Sequence, residues 1–153
     1  ALPHTGMAVS IDAGDHSDIH PANKQIIGFR LAREAERLCY EQNIVSAGPC
    51  FKSMKIEGDK AILAFTNIGS GLIAQGSENG HLNGFAVADE HGKFFRADAV
   101  IDGDKVIVSS PLVKTPATVR YAWANYAGNL NFYNKEGFPA APFRTNPPDY
   151  LGK

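Results

Sequence analysis

The sequence lacks the features that mark several classes of protein. It contains no apolar run near the roughly 18 residues that a membrane-spanning helix requires. Fifteen basic residues stand against sixteen acidic ones without a dense basic run, so binding to nucleic acid or an anionic membrane has little electrostatic support. The chain begins with Ala1 rather than methionine, so the absence of a signal peptide there excludes nothing.

Cysteine is also scarce, with Cys39 and Cys50 as the two thiols in 153 residues. A disulfide between them could join a predicted helix to the next segment in an oxidising compartment, but two small buried apolar side chains are the simpler interpretation. Two thiols without suitably spaced partners do not make a zinc site.

The most informative segment that is present is the loop of residues 12–20, which contains three aspartates and two histidines. Residues 7–11 form an apolar run that predicts a strand before the loop. Residues 21–42 predict a helix after it, with Pro21 as the first helical residue. Because α/β enzymes place catalytic groups on such strand-to-helix loops, the segment predicts a catalytic site.

Apolar side chains in the predicted helix recur at a spacing of three to four residues, which predicts one apolar face. A single strand and a single helix cannot bury each other's apolar surfaces, since parallel strands normally lie among other strands with helices on both sides. We therefore expect residues 1–45 to be the C-terminal end of an α/β domain whose earlier part lies outside these residues. The apolar face comprises Ile27, Leu31, Ala35 and Leu38.

After residue 45 the pattern predicts strands rather than helices. Short apolar segments alternate with compact turns such as Gly58-Asp59 and Gly103-Asp104, and residues 69–80 predict a surface loop. This arrangement predicts an antiparallel β-sandwich domain over residues 46–153, so that the whole chain is α+β. The predicted strands cover residues 51–57, 60–67, 84–89, 93–101, 105–110 and 118–124, followed by Phe132-Tyr133.

Several short strings occur in order along nearly the whole chain. They include Asp18-Ile19-His20-Pro21 with Asn23-Lys24-Gln25, Gly69-Ser70-Gly71-Leu72, Asp89-Glu90-His91-Gly92, Tyr121-Ala122-Trp123-Ala124 and Ala141-Pro142-Phe143-Arg144. Together they resemble the C-terminal part of the sialate O-acetylesterases, which are SGNH hydrolases. The resemblance implies a serine esterase whose catalytic domain has a flavodoxin-like α/β/α fold, so that residues 1–45 would contain its last strand and helix.

In that family the catalytic histidine lies near the end of the catalytic domain, in an Asp-then-His block. The matching residues are His20 as the general base and Asp18 as its acid. The blocks that carry the nucleophilic serine and the oxyanion donors are not present in these residues. The resemblance therefore implies that the chain supplies the catalytic histidine, while a companion polypeptide or a missing N-terminal segment supplies the serine.

The implied substrate is an O-acetyl ester of sialic acid or a related sugar, hydrolysed without a cofactor in a secreted or periplasmic setting. A neutral imidazole at His20 would take the serine proton and return it to the leaving group, and a nearby carboxylate would orient the ring. The simpler alternative is a loop in which Asp18 caps the helix and His20 is merely exposed. A different class of function is a non-catalytic β-sandwich module associated with carbohydrate.

The acid partner of His20 is open on the sequence alone. SGNH hydrolases usually carry Asp three residues before the histidine, which is Ser17 here, whereas Asp18 lies two before it. In an extended loop that spacing directs the two side chains apart, so Asp15 or a backbone carbonyl could orient the ring instead. A metal site formed by Asp15, His16, Asp18 and His20 is a further alternative.

Other chemistry-bearing residues have structural interpretations. Ser70 lies between two glycines, but position 68 is Ile, so the nucleophile pattern Gly-x-Ser-x-Gly fails. Arg144 could bind the carboxylate of an acidic sugar, although a surface role is the simpler interpretation. Four aromatic residues could form a platform for stacking sugars or belong to the core of the sandwich: Tyr121, Trp123, Phe132 and Tyr133.

Overall fold

A computed structural model describes residues 3–15, 17–18, 20 and 22–146. This part of the chain contains the helix α1, Lys24–Cys39, followed by eleven strands. None of its helices has the length and apolar character needed to cross a membrane. The strands are β1 Cys50–Glu57, β2 Lys60–Thr66, β3 Leu72–Ala74, β4 His81–Leu82, β5 Phe85–Ala88, β6 Phe94–Arg96, β7 Asp98–Asp102, β8 Lys105–Ser109, β9 Thr118–Tyr121, β10 Phe132–Asn134 and β11 Phe143–Arg144.

The strands form three antiparallel sheets. A five-stranded sheet has the order β1-β2-β8-β7-β4, a four-stranded sheet the order β11-β9-β5-β6, and β10 pairs with β3. The predicted turns at Gly58 and Gly103 join β1 to β2 and β7 to β8, and both glycines have a positive φ, of 61° and 58°. Glycine adopts this left-handed conformation without the steric cost that a side chain would add.

A single hydrophobic core lies among the sheets. Alternate residues of the five-stranded sheet, such as Leu63 and Val106, are fully buried, as are Val87 and Val119 of the four-stranded sheet. Aromatic rings fill the space between them, with the Phe85 and Tyr121 ring centroids 4.8 Å apart. Apolar burial of this extent supplies the main driving force for the fold. The chain is therefore mostly antiparallel sheet with one described helix, a small α+β fold.

The structure differs from the predicted elements at several places. Residues 7–11, all of them described, form no strand, because none of the described strands pairs with them. The predicted strand over residues 93–101 is divided at Ala97 into β6 and β7, which belong to different sheets. The predicted surface loop of residues 69–80 contains β3, and β4 follows it directly. Such short strands leave little periodic pattern to detect.

The predicted helix begins later than expected. Asn23 caps α1 by accepting a hydrogen bond from the backbone N–H of Ile26, so the helix starts at Lys24. Pro21 lies outside the described residues. The helix ends at Cys39, and both Cys39, which is exposed, and Cys50 are free thiols. The interpretation of Cys39 as a buried apolar side chain was therefore wrong.

The fully buried side chains of the helix are polar. Its two buried side chains are Arg30 and Glu34, whereas Leu31 on the predicted apolar face is 51% exposed. Ile27 and Leu38 on the same face are partly buried. At about 100° of rotation per residue, the buried polar pair lies roughly a quarter-turn from the apolar face. That face is thus left without full cover by the described residues.

Contacts also join the segment before residue 46 to the β-sheets. The Tyr133 hydroxyl donates a hydrogen bond to Asp12 at 3.1 Å, and the ring of Phe29 stacks on Phe138 with centroids 6.2 Å apart. The gap between α1 and β1 contains the predicted domain boundary. The division into residues 1–45 and 46–153 stays a prediction.

Candidate active site

The structure brings Asp18 and His20 into contact. The Asp18 Oδ1 atom accepts a hydrogen bond from the backbone N–H of His20 at 2.8 Å and lies 3.2 Å from the His20 Nδ1 atom. The chain turns between them, because an aspartate side chain readily bonds the backbone two residues on. The expectation that this spacing separates the side chains was therefore wrong. The extended conformation that it assumed is absent from these two residues.

This geometry matches what a base and its orienting acid require. An Nδ1–H group donating to Asp18 leaves the Nε2 atom as the proton acceptor, which is the arrangement used in serine hydrolases. The side chains of His20 and Asp18 are 76% and 60% exposed. The Nε2 atom can therefore be approached by another group.

The same local turn occurs a second time in the chain. In Asp89-Glu90-His91, the Asp89 Oδ1 atom accepts a hydrogen bond from the His91 backbone N–H at 3.0 Å. An Asp-x-His turn is thus a local property of the sequence and does not by itself define a catalytic site. What distinguishes Asp18 and His20 is the additional contact to the imidazole ring and their position before a helix.

Asp15, the other candidate acid, makes different contacts. Its Oδ1 atom accepts hydrogen bonds from the backbone N–H and the hydroxyl of Ser17, at 2.8 and 2.7 Å. These bonds shape the loop before Asp18. His16 lies outside the described residues, and the rest of the alternative metal site forms no cluster of three or more ligands among the residues described.

Asp12, at the start of the loop, is fixed by a largely buried arginine. Arg30 donates to both carboxylate oxygens of Asp12, at 2.6 and 2.7 Å, and to the Val9 carbonyl at 2.8 Å. The Arg30 side chain is 3% exposed and that of Asp12 is 15% exposed. This bidentate pair anchors the loop to α1. The sequence pattern did not predict this pair, since Arg30 lies ten residues beyond the loop, in the second turn of α1.

The environment of Asp12 changes two pKa values. Burial alone would raise the pKa of Asp12, but the hydrogen bonds and positive charge of Arg30 outweigh it and hold that pKa below its usual range. Burial, and to a smaller extent the charge of Asp12, raises the pKa of Tyr133 to about 12. Asp12 therefore stays ionised and Tyr133 stays protonated over the whole physiological range.

A second polar cluster attaches the helix about one turn beyond Arg30. Glu34 accepts hydrogen bonds from the Ser46 hydroxyl at 2.5 Å and from Arg37 at 2.8 Å. Burial would raise the pKa of Glu34, and its bonds to Arg37 and Ser46 lower it overall. The helix thus joins the rest of the chain through two charged clusters, centred on Arg30 and Glu34, about one turn apart.

An open hollow lies beside the loop and the start of α1. Its volume is about 240 Å³, and its lining includes Asp12, Gly14, Asp15, Asn23 and Ile26. It places open space next to the segment that carries Asp18 and His20.

The described residues contain no serine hydroxyl hydrogen-bonded to His20. The Ser70 hydroxyl instead donates to Glu136 at 2.5 Å, and the Ser70 backbone N–H donates to the same oxygen. The bond from Ser70 is the largest of the causes that lower the pKa of Glu136. Ser70 therefore stabilises a turn contact with Glu136, in agreement with the absence of the Gly-x-Ser-x-Gly pattern, and no histidine of the described residues bonds its hydroxyl.

The four candidate stacking aromatics divide into two groups. Tyr121, Phe132 and Tyr133 are buried, whereas Trp123 is 52% exposed. Burial raises the pKa of Tyr121 strongly, and its hydroxyl has no hydrogen-bond partner among the described residues. The core interpretation thus holds for three of the four, and Trp123 alone is a surface residue.

Comparison with known proteins supplies relatives for this arrangement. No protein-family model matches the chain. The chain is 26% identical to the sialate O-acetylesterases of Mus musculus and Homo sapiens over 93% of its residues, and it spans 28% and 29% of their lengths. The crystal structure of a carbohydrate acetylesterase from Xanthomonas citri is 42% identical, with a TM-score of 0.86 over 91% of this chain and 32% of that one.

These relatives share a class, since each is named for the removal of acetyl groups and two are curated under the same name. The chain is similar to the C-terminal part of the sialate O-acetylesterases, and the predicted resemblance is confirmed. It spans less than a third of the relatives that it matches.

Proposed function

We propose that this chain supplies the catalytic histidine of a serine carbohydrate esterase that hydrolyses O-acetyl esters of sialic acid or a related sugar. His20 is the general base and Asp18 orients it. The nucleophilic serine and the oxyanion donors lie in polypeptide outside these 153 residues. The observation that carries the proposal is the contact between Asp18 Oδ1 and His20 Nδ1 at 3.2 Å, in a chain related to acetylesterases.

The proposed chemistry follows from this contact. The His20 Nε2 atom takes the proton of the serine hydroxyl as the oxygen attacks the acetyl carbonyl. The Asp18 carboxylate stabilises the imidazolium that forms. The imidazolium then gives its proton to the departing sugar oxygen, and a water molecule, activated in the same way, releases acetate.

The exposure of both groups supports a site completed by other polypeptide. Electrostatic stabilisation of an acyl-transfer transition state is strongest where water is excluded, yet the His20 side chain is 76% exposed. The surface of α1 also supports a site completed by other polypeptide, because Leu31 is 51% exposed and Ile27 and Leu38 are partly exposed. Monomeric proteins rarely leave such apolar surface bare.

We accordingly assign residues 1–45 to the end of an SGNH hydrolase domain and residues 46–153 to a β-sandwich domain. The five-stranded and four-stranded sheets contribute inward residues to one core, which supports the sandwich. Arg30 holds the start of the loop to α1, and Tyr133 of the β-domain bonds the same aspartate. The β-domain thereby has a structural role, fixing the catalytic loop against a rigid support.

The test measures the release of acetate from an O-acetylated sialic acid. The protein assayed is the longer polypeptide, or the complex, that contains both these 153 residues and the nucleophilic serine. We expect His20→Ala to lower the turnover on the order of 10²–10⁴-fold, since the serine loses its general base. Asp18→Asn should cause a loss of comparable size, because it removes the charge that stabilises the imidazolium.

The chain offers matched controls in its second Asp-x-His turn. His91→Ala and Asp89→Asn make the same chemical changes in the same local turn and should leave the turnover within about twofold of the parent, since exposed surface positions contribute little. Unchanged acetate release by His20→Ala would contradict the assignment. Loss in His20→Ala with full activity in Asp18→Asn would remove Asp18 from the site.

A further inference from the structure

We propose that the outer face of the four-stranded sheet binds a carboxylated saccharide, with Arg120 as the carboxylate ligand and Trp123 as the stacking surface. This site lies on the β-domain and uses neither His20 nor Asp18. Its occupation is therefore independent of the proposed esterase chemistry.

The strand register places three arginines in one row. Arg144 of β11 pairs with Arg120 of β9, Arg120 pairs with Ala86 of β5, and Ala86 pairs with Arg96 of β6. Residues directly paired across antiparallel strands point to the same face of a sheet. The row one residue along, which includes Tyr121 and Phe85, is buried in the core, so the arginine row lies on the outer face.

Such a row is electrostatically unfavourable without an anion. Like charges directly opposite each other on neighbouring strands destabilise a sheet. No carboxylate forms a salt bridge with Arg120 or Arg144 in the part of the chain that the structure describes. The Arg120 Nε atom is buried and has no hydrogen-bond partner among those residues. A ligand carboxylate would neutralise this pair of charges.

Aromatic rings hold the two guanidinium groups in place. The Arg120 guanidinium carbon lies 3.7 Å from the centroid of the Phe94 ring, and that of Arg144 lies 5.2 Å from the Trp123 ring. Trp123 is 5.9 Å from Arg120 by the same measure, so one indole contacts both cations. Cation–π contacts of this kind fix the orientation of an arginine and leave its N–H groups available for hydrogen bonds.

The cavity next to these groups has the size for one sugar ring. It has a volume of about 260 Å³ and is lined by Arg120, Trp123 and Tyr126, together with small residues such as Gly84 and Ala86. This volume lies just below the range for drug-sized ligands, which begins at about 300 Å³, and therefore suits a single small ring. Because Ala86 stands in the arginine row where a longer side chain would fill the space, the cavity opens beside Arg120.

The lining suits an acidic sugar rather than a purely apolar ligand. A pyranose ring has a face of C–H groups that can pack on the exposed indole of Trp123, and a carboxylate can accept the forked N–H groups of Arg120. Trp123 also borders a second hollow of about 480 Å³, together with Asn125 and Pro142. Further sugar units of a chain could continue into it.

The single tryptophan of the sequence provides the measurement. Because Trp123 is the one tryptophan of the chain, its fluorescence reports directly on the proposed site. We expect saturable quenching or a shift of its emission when N-acetylneuraminic acid or methyl glucuronoside is titrated into the 153-residue chain. Methyl galactoside is the control that has a sugar ring but no charge. Sodium acetate is the control that has a carboxylate but no sugar ring. Each should bind at least about tenfold more weakly.

Matched variants separate this site from general charge attraction. Arg120→Gln should weaken binding of the carboxylated sugars about 10–100-fold, since a hydrogen bond to a charged group is lost. Arg144→Gln should weaken it less, because this arginine does not line the cavity. Arg96→Gln, in the same row but also outside the lining, should have little effect. Thermal unfolding of each variant checks that it folds.

Three results would overturn the proposal. One is the absence of saturable change with either carboxylated sugar up to about 10 mM, which corresponds to negligible affinity. Another is equal binding of methyl galactoside, which would assign the site to neutral sugars. A third is that Arg96→Gln weakens sugar binding as much as a folded Arg120→Gln or Arg144→Gln variant does. That result would show that the sugar is attracted by the overall charge of the sheet.

Discussion

Arg30 donates hydrogen bonds to both carboxylate oxygens of Asp12, at 2.6 and 2.7 Å, with its side chain almost completely buried. This pair joins the middle of α1 to the start of the loop that carries Asp18 and His20. The pair also explains why the side of the helix that faces the rest of the chain is polar. The apolar side, with Leu31, is thereby directed away from the β-sheets.

The first prediction concerns the stability that this pair provides. Asp12→Asn should lower the free energy of unfolding by about 3–5 kcal/mol, because it leaves the buried Arg30 guanidinium without its counter-charge. Urea unfolding followed by circular dichroism measures the change. Asp59→Asn, in the exposed turn between β1 and β2, is the matched control and should change it by less than about 0.5 kcal/mol. Equal effects of the two substitutions would contradict the structural role of the pair.

The second prediction concerns the pH dependence of stability. The lowered pKa of Asp12 means that its contribution is fully present above about pH 4 and is lost as the pH falls through the folded-state pKa. Burial and the charge of Asp12 raise the pKa of Tyr133 to about 12, so this group makes stability depend on pH at the alkaline end. Because the unfolded tyrosine ionises near pH 10, stability should fall as the pH rises from about 10 towards 12.

Unfolding free energies measured across these two pH ranges test both limbs. Asp12→Asn should flatten the acid limb, with Glu34 responsible for part of what remains. Tyr133→Phe should reduce the fall in stability at alkaline pH, with Tyr121 responsible for part of what remains, and should leave the acid dependence in place. Acid and alkaline limbs that are unchanged in both variants would show that these groups do not control the pH dependence.

The third prediction uses Gly28 to ask whether the exposed side of α1 is covered in a longer polypeptide. A methyl group added at Gly28 meets no atom within 4 Å. In the 153-residue chain, Gly28→Ala should therefore stabilise the fold by about 1 kcal/mol, since alanine favours the helix. In a polypeptide where an SGNH domain packs on this side, the same change should give no gain or a loss, because the methyl enters a filled contact.

Thermal unfolding of both forms compares the two situations. Gly14→Ala is the control, since a methyl group there also meets no atom within 4 Å but lies in the loop. An equal gain from Gly28→Ala in the short and the long polypeptide would contradict the proposed packing.

The sequence predicted the parts of the fold that depend on local pattern. The hairpin around Gly58-Asp59 was predicted almost to the residue, because alternating strands and a turn glycine are local signals. The arginine pair with Asp12 was not predicted, since a buried ion pair between a loop and a helix depends on how the two elements pack. The resemblance implied the pairing of Asp18 with His20, whereas the argument from spacing opposed their contact, because the loop turns where an extended chain was assumed.

The exposed tryptophan illustrates the same limit. Tyr121 and Trp123 are two residues apart and would share a face if β9 continued, yet one is buried and the other exposed. The strand ends at Tyr121, and Ala122 adopts a positive φ of 52°, which redirects the chain. A non-glycine residue in that conformation is uncommon, so no sequence pattern indicated it.

Labelling of the nucleophile tests the central claim, that His20 activates a serine outside these residues, most directly. A fluorophosphonate reacts with an activated serine: the serine oxygen bonds to phosphorus, fluoride leaves, and the base takes the hydroxyl proton. Peptide mapping of the labelled long polypeptide should place the label outside the 153 residues. His20→Gln should slow labelling at least about 100-fold, and His91→Gln should not. A label on Ser10, Ser17 or Ser70, or rapid labelling of the 153-residue chain alone, would contradict the account.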